Sequence, residues 1–110
     1  MIITTLRIKV PADKKFETLK IMRSLLGPVR VKRGCINSWV YEDKEEENFL
    51  VLMEEWDSEE NLNHHISSKE YRKVLALMDM STEAPEIKFS TVSHTSGLEA
   101  VHKILTHHSS

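Results

Sequence analysis

The segment from Phe49 to His65 constrains this chain most: an unbroken apolar strand, Phe49-Leu50-Val51-Leu52-Met53, runs through Glu54 and Glu55 to Trp56 and then directly into capped helical sequence. Both parities of that strand are apolar, Phe49, Val51 and Met53 on one and Leu50 and Leu52 on the other. The preceding strand, Cys35 to Glu42, repeats the pattern, with Cys35, Asn37, Trp39 and Tyr41 alternating against Ile36, Ser38 and Val40. A sheet wet on one side alternates apolar with polar, so this one must be covered on both faces. The acidic loop Asp43-Lys44-Glu45-Glu46-Glu47 between the two strands is short enough to make them an antiparallel hairpin.

The remaining elements follow from the same rules. Residues 2 to 10 alternate as a strand that Pro11 stops. Asp13 is placed to cap a helix with Phe16, Leu19, Met22 and Leu26 on its apolar stripe, kinked at Gly27-Pro28 and ended by Gly34. Asp57-x-x-Glu60 reads as a capping box for a short helix through His65, and Ser67-x-x-Glu70 as one for a second helix through Met78, with Tyr71, Val74, Leu75 and Met78 apolar. Residues 87 to 94 form a last strand, and Gly97 sets off an amphipathic tail with Leu98, Val101 and Leu105. The order is an α+β, ferredoxin-like βαββαβ plan with a four-stranded antiparallel sheet. It divides into a domain over residues 1–96 and a short helical tail over 97–110. The chain has too few helices to cover the second sheet face, and a second copy of the sheet is the simplest cover, which predicts a homodimer with a barrel-like core.

At 110 residues, with 29% charged and 40% hydrophobic content, the chain suits one globular domain. A net charge of -2 lacks the basic face that nucleic-acid binding needs. No apolar run is long enough to span a bilayer and the start lacks a secretory pattern, so no membrane association and a cytoplasmic address are expected. The single cysteine, Cys35, forms no intrachain disulfide and reads as a buried, inert thiol.

The residues Gly34-Cys35-Ile36-Asn37-Ser38-Trp39-Val40-Tyr41, then Glu54-Glu55-Trp56-Asp57-Ser58, then Leu62-Asn63-His64-His65-Ile66, in that order and spacing, resemble the antibiotic biosynthesis monooxygenase domain. The resemblance covers roughly residues 2 to 94. It implies a dimeric α/β barrel with a pocket between helices and sheet in each subunit. It further implies an oxidoreductase that uses molecular oxygen on electron-rich phenols, quinols or polyketide rings, with no metal, flavin or other cofactor. Related haem-degrading enzymes carry an iron-ligating histidine about where Leu75 stands, and leucine cannot ligate iron.

Oxygenation of this kind needs a substrate that can give an electron to oxygen, which a base near neutral pKa promotes by deprotonating a phenol. Histidine is such a base. His65 matches the family's helical histidine and is the catalytic candidate; its other reading is a histidine that packs or caps locally. His64 projects about a hundred degrees away on a helix, and adjacent histidines lack the spacing of a helical metal site, so no metal is expected. His94, His102, His107 and His108 lie near or beyond the last strand, the final pair reading as a frayed, solvated end. Asn37, Trp39 and Tyr41 on one strand face, together with Tyr71, are the substrate-binding candidates, offering stacking surface and directed hydrogen bonds to a flat aromatic ligand. Trp39 and Tyr41 equally suit a subunit or helix interface. Two functions remain open: a cofactor-independent monooxygenase of small quinols or phenols, or a non-catalytic homodimer that binds a small hydrophobic metabolite or a partner protein.

Overall fold

The computed structural model describes residues 1–108, so the last two residues of the predicted tail lie outside the described residues. Strands β1 (Ile2–Lys9), β2 (Cys35–Glu42), β3 (Phe49–Trp56) and β4 (Glu86–Thr91) form one antiparallel sheet in the order β2-β3-β1-β4. Helices α1 (Lys15–Arg30), α2 (Glu59–Ile66) and α3 (Tyr71–Asp79) cover one face, and α4 (Leu98–His108) follows the last strand. This is the ferredoxin-like α+β plan that the alternation predicts.

Strand periodicity sorts the two faces. Ile2, Thr4, Leu6 and Ile8 of β1 and Leu50, Leu52, Glu54 and Trp56 of β3 are buried beneath the helices. There Leu6, Ile8, Leu50 and Leu52 meet Leu19, Met22 and Leu25 of α1 and Val74 and Leu77 of α3. A smaller cluster of Ile2, Val29, Trp56 and Leu62 fills the end of the sheet nearest α2. Each such large side chain contributes about 1.5–3 kcal/mol by leaving water.

The opposite face carries Ile3, Thr5, Val51, Met53, Trp39 and Tyr41, none of them buried. The acidic loop folds back over one edge of this face. Arg7 lies 3.7 Å from the centre of the Phe49 ring and donates to Asp43 at 3.0 Å and Glu46 at 2.9 Å. The Glu46 amide and the Arg7 guanidinium together hold the Asp43 carboxyl below its ordinary pKa.

Several local expectations are corrected. A bulge between Cys35 and Asn37 splits the predicted row on β2: Cys35 opposes Trp56 on the helix side, whereas Asn37 opposes Glu55 on the open side. Helix α1 runs without interruption through Pro28; its N-cap is Lys14, without a side-chain cap bond, and not Asp13. Phe16 is 79% exposed, because the buried stripe is set by Leu19, Met22, Leu25 and Val29, with Thr18 bonded back to the Lys14 carbonyl. Ser58, rather than Asp57, caps α2 by accepting from the Asn61 amide at 3.2 Å. The Ser67 box is not made; α3 begins at Tyr71 with no side-chain cap bond. Cys35 is half-buried rather than buried, and its thiol pKa is pushed up by desolvation and then by the charge of Glu54. The frayed end expected at His107 and His108 is helical, and α4 leaves Leu98, Val101, Ile104 and Leu105 exposed.

No helix among the described residues is long and apolar enough to cross a membrane. Gly34 joins α1 to β2 with φ +86°, and a Cβ there would lie 2.4 Å from the Asn61 side chain. The close approach lets α2 settle against the turn beside Trp56.

Candidate functional site

Helix α2 starts directly after the β3 strand end, so its buried face returns over the residues that precede it. Leu62 and His65 are the buried positions of that face, three residues apart and hence neighbours on the helix. His64 is exposed, as the angle between adjacent helical residues requires. A relay of hydrogen bonds fixes the end of α2: Lys32 Nζ donates to Ser68 Oγ at 2.6 Å, and Ser68 Oγ donates to the His65 carbonyl at 2.6 Å. Lys32 also reaches Glu70 at 3.1 Å, and the Glu70 carboxyl is held at about 2, first by its own backbone N–H and then by Lys32.

The His65 imidazole lies in an aromatic and acidic nest. It stacks on Trp56 with ring centroids 4.7 Å apart and an interplanar angle of 23°, and meets Tyr71 edge-on at 5.4 Å. The ring is 2% exposed as a residue, and neither of its nitrogens has a hydrogen-bond partner. Its Nε2 is 3.5 Å from Glu54 Oε1, the oxygen that accepts the Trp56 indole N–H at 3.0 Å. Native interiors pair nearly all their buried polar atoms, so a buried imidazole without a hydrogen bond stands out as a candidate functional group. Burial, then the nearby Glu54 charge, raises the Tyr71 phenol above its ordinary pKa.

Two spaces flank the nest. An open cleft of about 400 Å³ is walled by Lys32, Arg33, Glu60, Asn61 and His64, with Trp56 and His65 at its inner side. This falls in the size range of small-molecule sites. Between sheet and helices, Thr4, Leu52, Glu54, Leu62 and Tyr71 border a hollow of about 20 Å³, room for about one water.

The structure therefore brings His65 and Tyr71 together and keeps Asn37, Trp39 and Tyr41 away from them. Those three project from the far face of the sheet, in register with Glu55, Met53 and Val51. From the sequence, Glu54 and Glu55 point to opposite sides of the strand, so at most one enters a site, and neither is singled out for a role. The available signal was its parity: it falls in line with Leu50, Leu52 and Trp56, which are core positions. Among the described residues, no three His, Cys, Asp or Glu side chains gather as a metal site.

Comparison with known proteins agrees with this architecture. The chain is 29% identical over 92 residues to an uncharacterized protein of Synechocystis, matching 83% of this chain and 63% of that one, so it spans less than two thirds of that relative's length. A conserved protein of Methanosarcina mazei superposes with a TM-score of 0.74 at 27% identity, over 81% of this chain and 89% of its own. A Deinococcus radiodurans protein assigned to the antibiotic biosynthesis monooxygenases superposes with a TM-score of 0.79 at 16% identity, over 88% of this chain and 97% of its own, a likeness of fold. The sequence profile of that family matches residues 1–77, from β1 through most of α3. This chain, with its sheet, its helix pair and the histidine seated between them, belongs to the antibiotic biosynthesis monooxygenase family.

Proposed function

We propose that this protein is a cofactor-independent monooxygenase that oxidises a small phenol or quinol with molecular oxygen, using His65 as the proton acceptor. The observation that carries the reading is the buried His65 imidazole, neither nitrogen of which makes a hydrogen bond, on a residue that borders a ligand-sized cleft. Family membership supports oxygenase chemistry in general; the substrate class rests on the site. A flat aromatic ring entering the cleft meets Asn61 and the charged side chains of its wall, which offer hydrogen bonds to its oxygens, and the enclosed His65 ring has to be uncovered by a side-chain movement before it takes the proton.

In the proposed reaction His65 removes the phenolic proton. The phenolate passes one electron to oxygen, and the aryloxyl radical and superoxide combine to form a carbon–oxygen bond. The resulting hydroperoxide then loses water as its O–O bond breaks, so one oxygen atom stays in a quinone and the other leaves as water. The protein supplies desolvation, orientation and proton transfer. Incubating the protein with a panel of naphthols and hydroquinones bearing a free ring position, under ¹⁸O-labelled oxygen, tests this. One labelled atom per quinone is expected for at least one member; oxygen use no faster than without protein, across the panel, contradicts it.

The competing reading, a non-catalytic binder, is favoured by the closure of the His65 side chain, which is 0% exposed. Under that reading the same ligands raise the melting temperature equally in air and under argon, and no product forms.

The open sheet face, with Ile3, Val51, Met53 and Trp39 uncovered by any helix, supports a homodimer built by apposing two such faces. In this arrangement Asn37, Trp39 and Tyr41 serve the subunit interface and not the substrate cleft. Light scattering at micromolar concentration is expected to give twice the 12.8 kDa chain mass. A stable folded species of the single-chain mass would refute the pairing.

A further inference from the structure

A carboxylate at a core position of a strand is costly unless something compensates it. Glu54 is 4% exposed, on the row whose neighbours across the sheet are Ser38 on β2 and Thr4 on β1, both buried. It accepts one hydrogen bond, from the Trp56 indole, and a full charge calls for more. The ionisable groups packed around the pair are Tyr71 on α3, Cys35 on β2 and Arg30 on α1, with Lys32, Arg33, Glu60 and His64 at the cleft. Arg30 is committed to the Ser38 carbonyl at 2.7 Å, and Lys32 to Ser68 and Glu70. The basic group within ion-pair reach of Glu54 is the His65 ring, 3.5 Å away.

Trp56 makes the arrangement rigid. Its face stacks on the imidazole while its N–H holds Glu54 Oε1, so a single fully buried side chain orients both partners. We propose that Glu54 is the positioning residue of this site: clamped by Trp56, it keeps Nε2 of His65 turned toward itself and balances the charge the ring gains when Nδ1 takes a proton. In the reaction proposed above, that proton comes from the substrate O–H and no electron moves in the step. The inference uses that reading only for the proton's source, because the pair itself is a property of the free protein.

The test therefore needs no substrate. In a Trp39→Phe background the remaining indole, Trp56, is in contact with His65, and a protonated imidazole quenches indole fluorescence. Lowering the pH is expected to give a quenching transition that His65→Asn abolishes. Glu54→Gln, which keeps size but removes charge, moves the transition to lower pH, because a nearby opposite charge favours the protonated ring. Glu54→Met, of similar reach and without a buried amide to satisfy, shifts it in the same direction and provides the measurement if the Gln variant folds poorly. A transition at the same pH with and without the carboxylate, or one that survives His65→Asn, overturns the proposal. Failure of the oxygen assay leaves this result standing, and the reverse also holds.

Discussion

Trp56→Ala is expected to lower the unfolding free energy by about 3–5 kcal/mol, the range for removing a large aromatic from a well-packed core. Trp56 is 0% exposed and is the largest side chain of the cluster that joins β1, α1 and α2 through Ile2, Val29 and Leu62. Its removal leaves a void beneath α2, takes away the stacking surface of His65 and strips Glu54 of its indole donor. Collapse of the surroundings is limited, because Gly34 and Asn61 already touch on the neighbouring side. Trp56→Phe separates the two contributions: it refills most of the volume but leaves the carboxylate oxygen without its donor, for a cost of about 1–3 kcal/mol. Urea denaturation of the three proteins at one fixed concentration measures both, the fixed concentration being needed because subunit pairing would contribute to stability. A Trp56→Ala loss under about 1 kcal/mol, well short of the range for an aromatic truncated in a packed core, would contradict the placement of this residue.

How much of this was legible before the fold was known depends on the kind of signal. Period-two alternation in β1 and β3 identified the faces correctly because those strands are regular along their whole length. The same logic failed at the start of β2, where one extra residue in a bulge moves Cys35 to the helix side while Asn37, Trp39 and Tyr41 stay on the other. Parity reasoning has no means of detecting that insertion. Cap motifs were similarly ambiguous: Asp57 and Ser58 are both good caps, and the chain uses Ser58, while Ser67 sits in the turn between two helices instead of heading one.

The site divides along the same line. His65 could be placed beside the sheet because α2 follows Trp56 after two residues, leaving the helix little freedom in where it returns. Tyr71 joins it because the next helix starts five residues after α2 ends. Glu54 could not be singled out over Glu55 for a chemical reason. A glutamate among leucines on a strand looks like an interruption, and only the meeting with a buried imidazole and an indole N–H makes it a plausible core residue. Parity groups Asn37, Trp39 and Tyr41 on one strand face without saying whether His65 shares it, and the fold puts the thickness of the sheet between them.

His65→Asn carries the other large expected effect. Asparagine retains a short polar side chain in the buried position but cannot accept and hold a proton at neutral pH, so oxygen-dependent turnover should fall by about 10²–10⁴-fold, the usual contribution of a positioned acid or base. Substrate affinity should change less, since the cleft walls contributed by Lys32, Arg33, Glu60 and Asn61 are untouched. An effect mainly on KM with kcat preserved would assign the ring to binding instead of proton transfer.

The most direct measurement is oxygen uptake by the purified protein with its best phenolic or quinol substrate, compared in parallel with His65→Asn at matched folded concentration. Protein-dependent uptake that yields a quinone is expected, with at least about a hundredfold loss in the variant. Equal rates in the two proteins, or none above the spontaneous reaction in either, would contradict it.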